Sequence, residues 1–344
     1  MEKLAHSDSP RVGCMRRLSR RAIILLSILL ALLIVGLAIG LGVGLGLTND
    51  SEDGGDEENE QPSPTESGSP TPPPPSNGTL WQPAVNSSWQ IVLLNPLSLS
   101  TSAQSVSPDV DIYDIDLFTN DQSTIEKLHQ LGKKVICYFS AGSYESFRPD
   151  SSEFQSSDLG KELDGWPGER WLDLGSSNVR RIMAARIALA ASKGCDAIDP
   201  DNVDGYVRSN ENGLGLSEGD SIDFLQFLSA EARNHTLAIG LKNAGSIIPD
   251  VLDIMSFSVN EQCVQYSECE TFAPFVEKGK PVFHIEYPND ESLNNVAKSA
   301  VNDICSDSGS ASGSSDFSTV IKDMDLSGWV EYCDGAVADT ATSE

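Results

Sequence analysis

Eight short apolar runs of strand character recur between stretches of helical periodicity from Trp81 onward, and no other feature of this 344-residue chain restricts its fold as tightly. The expected strands cover Gln90 to Leu94, Asp111 to Leu117, Lys134 to Ser140, Asp196 to Asp199, Leu237 to Lys242, Ile254 to Val259, Val282 to Tyr287 and Ser318 to Ile321. Helices are expected over Gln122 to Leu131, Asn178 to Lys193, Glu218 to Asn234, Thr271 to Lys278 and Leu293 to Cys305. In the second of these, Val179, Ile182, Met183, Ile187 and Ala190 recur at helical spacing and Gly194 follows as a C-cap. The third opens on Ser217 and Asp220 in a capping-box pattern. Strands that are nearly unbroken in apolar character belong in a parallel sheet covered by helices, and eight of them predict an α/β fold, a TIM-like (β/α)₈ barrel. A doubly wound open sheet is the alternative, but no G-x-G-x-x-G follows the first strand.

Three segments of a different kind precede this domain. Ala22 to Leu47 carries no charge over 26 residues; as a helix it would reach roughly 39 Å, more than the ~30 Å hydrocarbon core requires. It has no small-residue cleavage site, so it is expected to be an uncleaved signal anchor. Residues 1–21 are basic, with Arg16, Arg17, Arg20 and Arg21 against the anchor, which places them in the cytosol. The expected product is a single-pass type II protein of the plasma membrane with its large domain, residues 80–344, outside the cell. Residues 48–79 are acidic and then Pro-rich, too poor in apolar side chains to fold, and read as a disordered stalk. The whole chain carries −28, yet residues 1–21 carry +4, so everything after them carries −32. Such a surface repels nucleic acid and attracts cationic polymers. Sequons at Asn49, Asn77, Asn86 and Asn234 fit passage through a secretory pathway.

In a barrel the working groups sit at the C-terminal ends of the strands. Those ends carry Asp114 and Asp116, Tyr138 and Ser140, Lys242 and Asn243, Asn260 and Glu261, and Glu286 and Tyr287. The fourth strand opens into GCDAIDPDNVDGY, which crowds Asp199, Asp201 and Asp204 into six positions. If extension persists through Pro200, Asp199 and Asp201 point the same way, while Pro200, Asn202 and Gly205 mark a turn. Carboxylates so close repel one another, which raises at least one pKa and suits one group to act as an acid while another stays ionised. Helix capping, a structural calcium site or a solvated loop are the competing uses of such a turn. Cys263 and Cys269 flank a short loop, and Cys305 and Cys333 flank the last expected strand, so both pairs are expected as disulfides. Cys137 and Cys195 lie in apolar strands and read as buried thiols. No C-x-x-C occurs, and four scattered His do not build a metal centre. Trp166, in the insertion GWPGERW, would serve either as a sugar-stacking platform or as part of a surface lid.

Six ordered stretches, ICYFSAGSYE, GWPGERWLDL, GCDAIDPDNVDGY, GLKN, NEQC and HIEY, together resemble glycoside hydrolase family 114, the endo-α-1,4-polygalactosaminidases. The resemblance runs from about Trp81 to Asp339. It implies a TIM-barrel-like fold and cleavage within chains of α-1,4-linked galactosamine, a cationic polysaccharide that an acidic cleft would concentrate. It also implies an Asp and Glu pair, with no cofactor and no metal. On that basis Asp199 or Asp201 is expected as the catalytic carboxylate and Glu261 as the proton donor, with Lys242 holding one of the Asp residues ionised. Asp114, Asp116, Asp204, Glu286, Tyr138, Tyr287 and Trp166 are the expected substrate contacts, the acids for ammonium groups and the rings for stacking. The rival reading is a noncatalytic, membrane-tethered lectin-like receptor for a cationic polysaccharide.

Overall fold

In the computed structural model, residues 80–208, 211–288 and 296–343 are described. The basic tail, the apolar segment at 22–47, the stalk and the expected helix start at Leu293 lie outside them. Among the described residues no helix is long and apolar enough to cross a membrane.

The strands in chain order are β1 (Trp89–Val92), β2 (Ile112–Asp116) and β3 (Lys134–Ser140), then β4 (Ser143–Glu145), β5 (Leu159–Glu162) and β6 (Glu169–Leu172). They continue with β7 (Ala197–Asp201), β8 (Ala238–Lys242), β9 (Phe257–Glu261), β10 (Val282–Glu286), β11 (Ser318–Ile321), β12 (Trp329–Tyr332) and β13 (Val337–Asp339). All eight expected strands form. β1, β2, β3, β7, β8, β9, β10 and β11 pair in that order, every pair parallel. The main helices are α1 (Gln122–Gln130), α2 (Ser177–Lys193) and α3 (Glu218–Asn234), followed by the short α4 (Ile248–Val251), α5 (Cys263–Tyr266), α6 (Ala273–Glu277) and α7 (Lys298–Ile304). Ser176 caps α2 by accepting from the Asn178 and Val179 amides, and Gly194 ends it in the left-handed region at φ 91°. The Ser217 and Asp220 capping box at the start of α3 is formed from both sides.

Alternation along each strand sorts the core into two parts. Ile91, Ile112, Ile136, Ala197, Ala238, Phe257, Phe283 and Val320, one or more from each parallel strand, meet in one buried cluster inside the curl of the sheet. Tyr113, Cys137, Ile198 and Ile239, each one residue further on, pack outward into the helix layer. Phe283 bridges this interior, with ring centroids 5.0 Å from Trp89 and 5.4 Å from Phe257. Gly240 makes the packing feasible, since a Cβ there would lie 2.3 Å from the Phe257 ring. The result is TIM-barrel-like. At the seam, the Trp89 indole donates to the Ser318 carbonyl at 2.7 Å and the Tyr332 hydroxyl to the Trp89 carbonyl at 3.1 Å. β12 and β13 extend the sheet antiparallel beyond β11.

The structure corrects three local expectations. β7 does not stop at Asp199 but runs through Pro200 to Asp201. The Asp201 carbonyl accepts from Ala141 and Gly142 on the β3 side, so by alternation Pro200 faces β8, where the ladder has already ended at Ile198; its missing N–H disrupts no pairing. The insertion after β3 is not a bare loop, because β4, β6 and β5 form an antiparallel sheet there. Cys137 and Cys195 are joined in a disulfide with Cα atoms 6.0 Å apart. Their burial agrees with the apolar surroundings, but the parallel pairing of β3 with β7 sets Cys137 opposite Ile198, within reach of Cys195 just ahead of the strand. The Cys263–Cys269 and Cys305–Cys333 disulfides form as expected.

Candidate active site

The inward register that builds the core also builds the site. Continuing the inward positions toward the strand ends gives Asp114 and Asp116 on β2, Tyr138 on β3, Asp199 and Asp201 on β7, Lys242 on β8, Glu261 on β9 and Tyr287 just after β10. Lys242 is the centre of this group. Its ammonium lies 3.5 Å from Asp201 Oδ2, 3.5 Å from Glu261 Oε2 and 3.8 Å from Asp199 Oδ2, and the residue is only 2% exposed. Burial alone would depress its pKa, but Asp201, Glu261 and Asp199 outweigh it and hold the amine charged.

Asp201 and Glu261 each have their own tyrosine. The Tyr138 hydroxyl donates to Asp201 Oδ2 at 2.9 Å and the Tyr287 hydroxyl to Glu261 Oε1 at 2.5 Å. Burial and the adjacent carboxylates keep both phenols protonated, so both remain donors. The Asn202 amide donates to Asp201 Oδ1 at 2.7 Å, and Asn243 Nδ2 to Glu261 Oε2 at 3.1 Å. Asn243 Oδ1 in turn accepts from the Glu261 amide at 2.9 Å, which fixes the two residues as one unit. For Glu261, burial opposes ionisation, yet Lys242, Tyr287 and Asn243 prevail and its pKa falls below the ordinary carboxylate value. The β7 side behaves oppositely. Burial, against Lys242, and then Asp201 push Asp199 up to about 7, while burial and Asp201 push Asp204 up to about 6.

A cleft of about 660 Å³ opens above this group. Asp116, Tyr138, Asp201, Asp204, Lys242, Glu261, Tyr287 and Trp166 line it. Three of the residues singled out from sequence lie elsewhere. Asp199 and Asp114 are wholly buried beneath the cleft. Glu286 has the outward parity of β10 and accepts from the Val264 amide at 2.7 Å and His284 Nε2 at 2.9 Å, so it braces α5 rather than facing the cleft. Of the two Asp residues left open by the sequence, Asp201 is therefore the one that substrate can reach. Its side chain is 18% exposed, against 0% for Asp199, and that of Glu261 is 23% exposed.

Apart from Trp166, sequence reasoning missed the insertion's share of the site. Glu169, at the start of β6, lines the cleft, accepts from Ser143 Oγ at 3.0 Å, and is raised to about 7 by burial, Glu145 and Asp201. Arg148 spans Asp116 at 2.6 Å and both Glu145 oxygens at 2.7 and 2.8 Å, closing one wall with a buried ion triad. Phe147 is 70% exposed and Trp166 55%, two aromatic faces at the rim. Glu145 and Glu169 carried a readable signal, as acids inside the stretches ICYFSAGSYE and GWPGERWLDL, whereas Arg148 lies outside them. Among the described residues, the metal-type ligands that converge are Cys263, Cys269 and His284, and the disulfide removes the two thiolates. Lys242 supplies a cation to two members of the triple Asp turn, Asp199 and Asp201.

Two inward carboxylates that face one cleft, straddle one ammonium and carry separate hydrogen-bond donors are equipped for acid and nucleophile or base chemistry at a glycosidic bond. Comparison with known proteins agrees. Ega3 of Aspergillus fumigatus, solved in complex with galactosamine, is 55% identical, with a TM-score of 0.68 over 75% of this chain and 100% of that one. The glycoside hydrolase domain of PelA from Pseudomonas aeruginosa shares the fold, with 13% identity and a TM-score of 0.52 over 70% of this chain and 95% of that one. No curated protein matches the chain. The model of glycoside-hydrolase family GH114 matches residues 70–338, and with the Ega3 likeness and the carboxylate cleft this establishes that the chain belongs to that family and is a glycoside hydrolase.

Proposed function

We propose that this enzyme cuts within chains of α-1,4-linked galactosamine, using Asp201 and Glu261 as its catalytic pair. The observation that carries the reading is the placement of both carboxylates in one cleft at 3.5 Å from the same Lys242 nitrogen. The oxygens of the two that face Lys242 are then no more than about 7 Å apart, a bound that includes both the ~5–5.5 Å spacing of a retaining mechanism and the lower end of the ~6.5–9.5 Å inverting range. The resting charge state divides the neighbouring acids, with Glu261 held below the ordinary carboxylate value while Asp199 and Glu169 are raised to about 7 and Asp204 to about 6. That division is the reverse of the donor role expected for Glu261 from sequence, which would require Glu261 to gain a proton when substrate enters. Asp116, Glu145, Asp164, Glu169, Asp204 and Asp325 also line the cleft, where Arg148 and Lys242 are already engaged in ion pairs; this favours a polymer bearing free amines. The galactosamine bound to Ega3 points to the same sugar.

The reading includes display of the enzyme outside the plasma membrane, carried by the apolar segment at 22–47 and the stalk at 48–79. Protease added to intact cells should then release the domain.

The test of the chemistry is chain shortening. Polygalactosamine should be cut and chitosan, with its β-1,4 linkage, should not. Asp201→Asn and Glu261→Gln should each lose at least ~100-fold in rate while the fold is kept. Alanine variants of the same residues, assayed with azide, divide the roles. A glycosyl azide of inverted anomeric configuration marks the missing nucleophile, and one of retained configuration the missing acid and base. Binding of polymer without shortening would return the lectin-like receptor.

A further inference from the structure

The small sheet of β4, β6 and β5 is joined to Asp201 by a chain of side chains that the chemistry above leaves unused. Asp201 receives a donor on each oxygen, Tyr138 on Oδ2 at 2.9 Å and the Asn202 backbone amide on Oδ1 at 2.7 Å. Asn202 adopts the left-handed conformation at φ 59°, and a Cβ on Gly142 would come within 1.8 Å of its carbonyl oxygen, so the turn is pressed onto the connection between β3 and β4. Its side chain reaches the same connection. Asn202 Nδ2 donates to Ser140 Oγ at 2.9 Å and lies 3.3 Å from Ser143 Oγ. The two serines are buried, their hydroxyls are 2.6 Å apart, and Ser143 Oγ donates to Glu169 Oε2 at 3.0 Å. The direction of the chain is forced. Ser140 Oγ already accepts from Asn202 Nδ2 and from the Ser143 amide at 3.2 Å, which fills both of its lone pairs. Its own proton therefore goes to Ser143 Oγ, and the Ser143 proton goes to Glu169. The neighbouring acid cannot substitute, because Glu145, opposite Glu169 across the β4–β6 pair, has both oxygens on Arg148.

We propose that Glu169 is a positioning residue for Asp201: through Ser143 and Ser140 it holds the Asn202 side chain, and with it the turn whose backbone amide orients Asp201 Oδ1. Removing the acceptor at the end leaves the Ser143 proton unpaired in a buried site, which is costly. That proton regains a partner only by turning back on Ser140 Oγ, in competition with Asn202. Asn202 then loses the acceptors that fix it, and its amide no longer sets the angle at which Asp201 meets the cleft. The insertion after β3 thus acts on the chemistry from outside the barrel, by way of a turn on β7. This inference rests on the assignment of Asp201 to the catalytic pair.

The experiment measures polygalactosamine cleavage by the full-length protein at pH 8, above the value of about 7 to which Glu169 is raised. Glu169→Ala, Ser143→Ala and Asn202→Gly each break the chain at a different link; glycine suits the φ of 59° and keeps the backbone N–H, so the last removes only the side chain. Each should lower kcat roughly 10- to 100-fold with KM little changed. Glu169→Gln, whose amide oxygen still accepts from Ser143, should recover most of that loss. Glu169→Ala combined with Ser143→Ala should be no slower than the slower of the two, because both cut one chain. A rise in KM as the main effect, a Gln variant as impaired as the Ala variant, or losses that multiply would make Glu169 a substrate contact and overturn the proposal. Hydrogen exchange at the Asn202 amide reads the same chain without turnover. It should be faster in Glu169→Ala and Ser143→Ala than in Glu169→Gln, and equal rates in the three overturn the proposal; if Glu169→Ala fails to fold, Ser143→Ala against Glu169→Gln decides. Exchange that behaves as stated while Asp201→Asn keeps full activity refutes the role of Asp201 and not the chain that positions it.

Discussion

Replacing Lys242 by Met keeps the length of the side chain and removes the charge that three carboxylates share. At 3.5–3.8 Å and an effective dielectric of ~20, each of those contacts amounts to roughly 4–5 kcal/mol of attraction before desolvation is counted. Desolvation of the ammonium and of the carboxylates offsets most of that sum. The remaining cost is that of breaking a buried ionic cluster from one side, about 3–5 kcal/mol. The loss should depend on pH in a definite sense. Lys242 holds Glu261 below its ordinary pKa, a stabilisation present above the unfolded value of ~4.5 and lost as pH falls through the folded one. Without the amine the same carboxylates take up protons readily, and the variant is penalised only where they must ionise. Chemical denaturation of both proteins should therefore show a gap of about 3–5 kcal/mol at pH 7.5 that shrinks markedly near pH 4.5. Turnover at pH 7.5 should fall by at least ~100-fold, because Glu261 loses the charge that keeps it ionised. A gap that is the same at both pH values, or a variant more stable at pH 7.5, would refute the view that Lys242 is the charge on which the site depends.

Two further outcomes follow from the same geometry. Tyr287→Phe removes the donor at 2.5 Å from Glu261 while leaving the ring in place, so Glu261 should ionise at higher pH and the acid limb of kcat/KM should move up by about one unit; an unmoved limb would mean that Glu261 does not control it. Gly240→Ala forces a methyl group to within 2.3 Å of the Phe257 ring in the barrel interior, two residues before Lys242; denaturation should report a loss of ~1–3 kcal/mol, and unchanged stability would contradict the packing described for that layer.

The sequence by itself determined the strand and helix alternation, because a parallel sheet buried on both faces demands unbroken apolar strands and amphipathic cover. It also located the strand-end part of the cleft, since the ends of parallel strands gather at one rim whatever the loops do. The same lack of pattern concealed which face each residue takes. In HIEY, His284 and Glu286 sit between Phe283, Ile285 and Tyr287, and with apolar residues required on both faces nothing marks the inward set. Register resolved that, sending Glu286 to α5 and Tyr287 to Glu261. Depth was equally hidden. Asp199 and Asp201 share a direction, as the period of two requires, but two residues of rise separate a buried acid from one that lines the cleft. Contacts between distant segments were beyond any local signal, because the Cys137–Cys195 disulfide, the Glu169 carboxyl over the cleft and the three carboxylates on Lys242 each depend on where neighbouring strands stop. Residue type determined that acids, an amine and aromatic rings would gather at one rim, and only the tertiary structure decided which of them touch, because partnership depends on distances that the chain covers by folding.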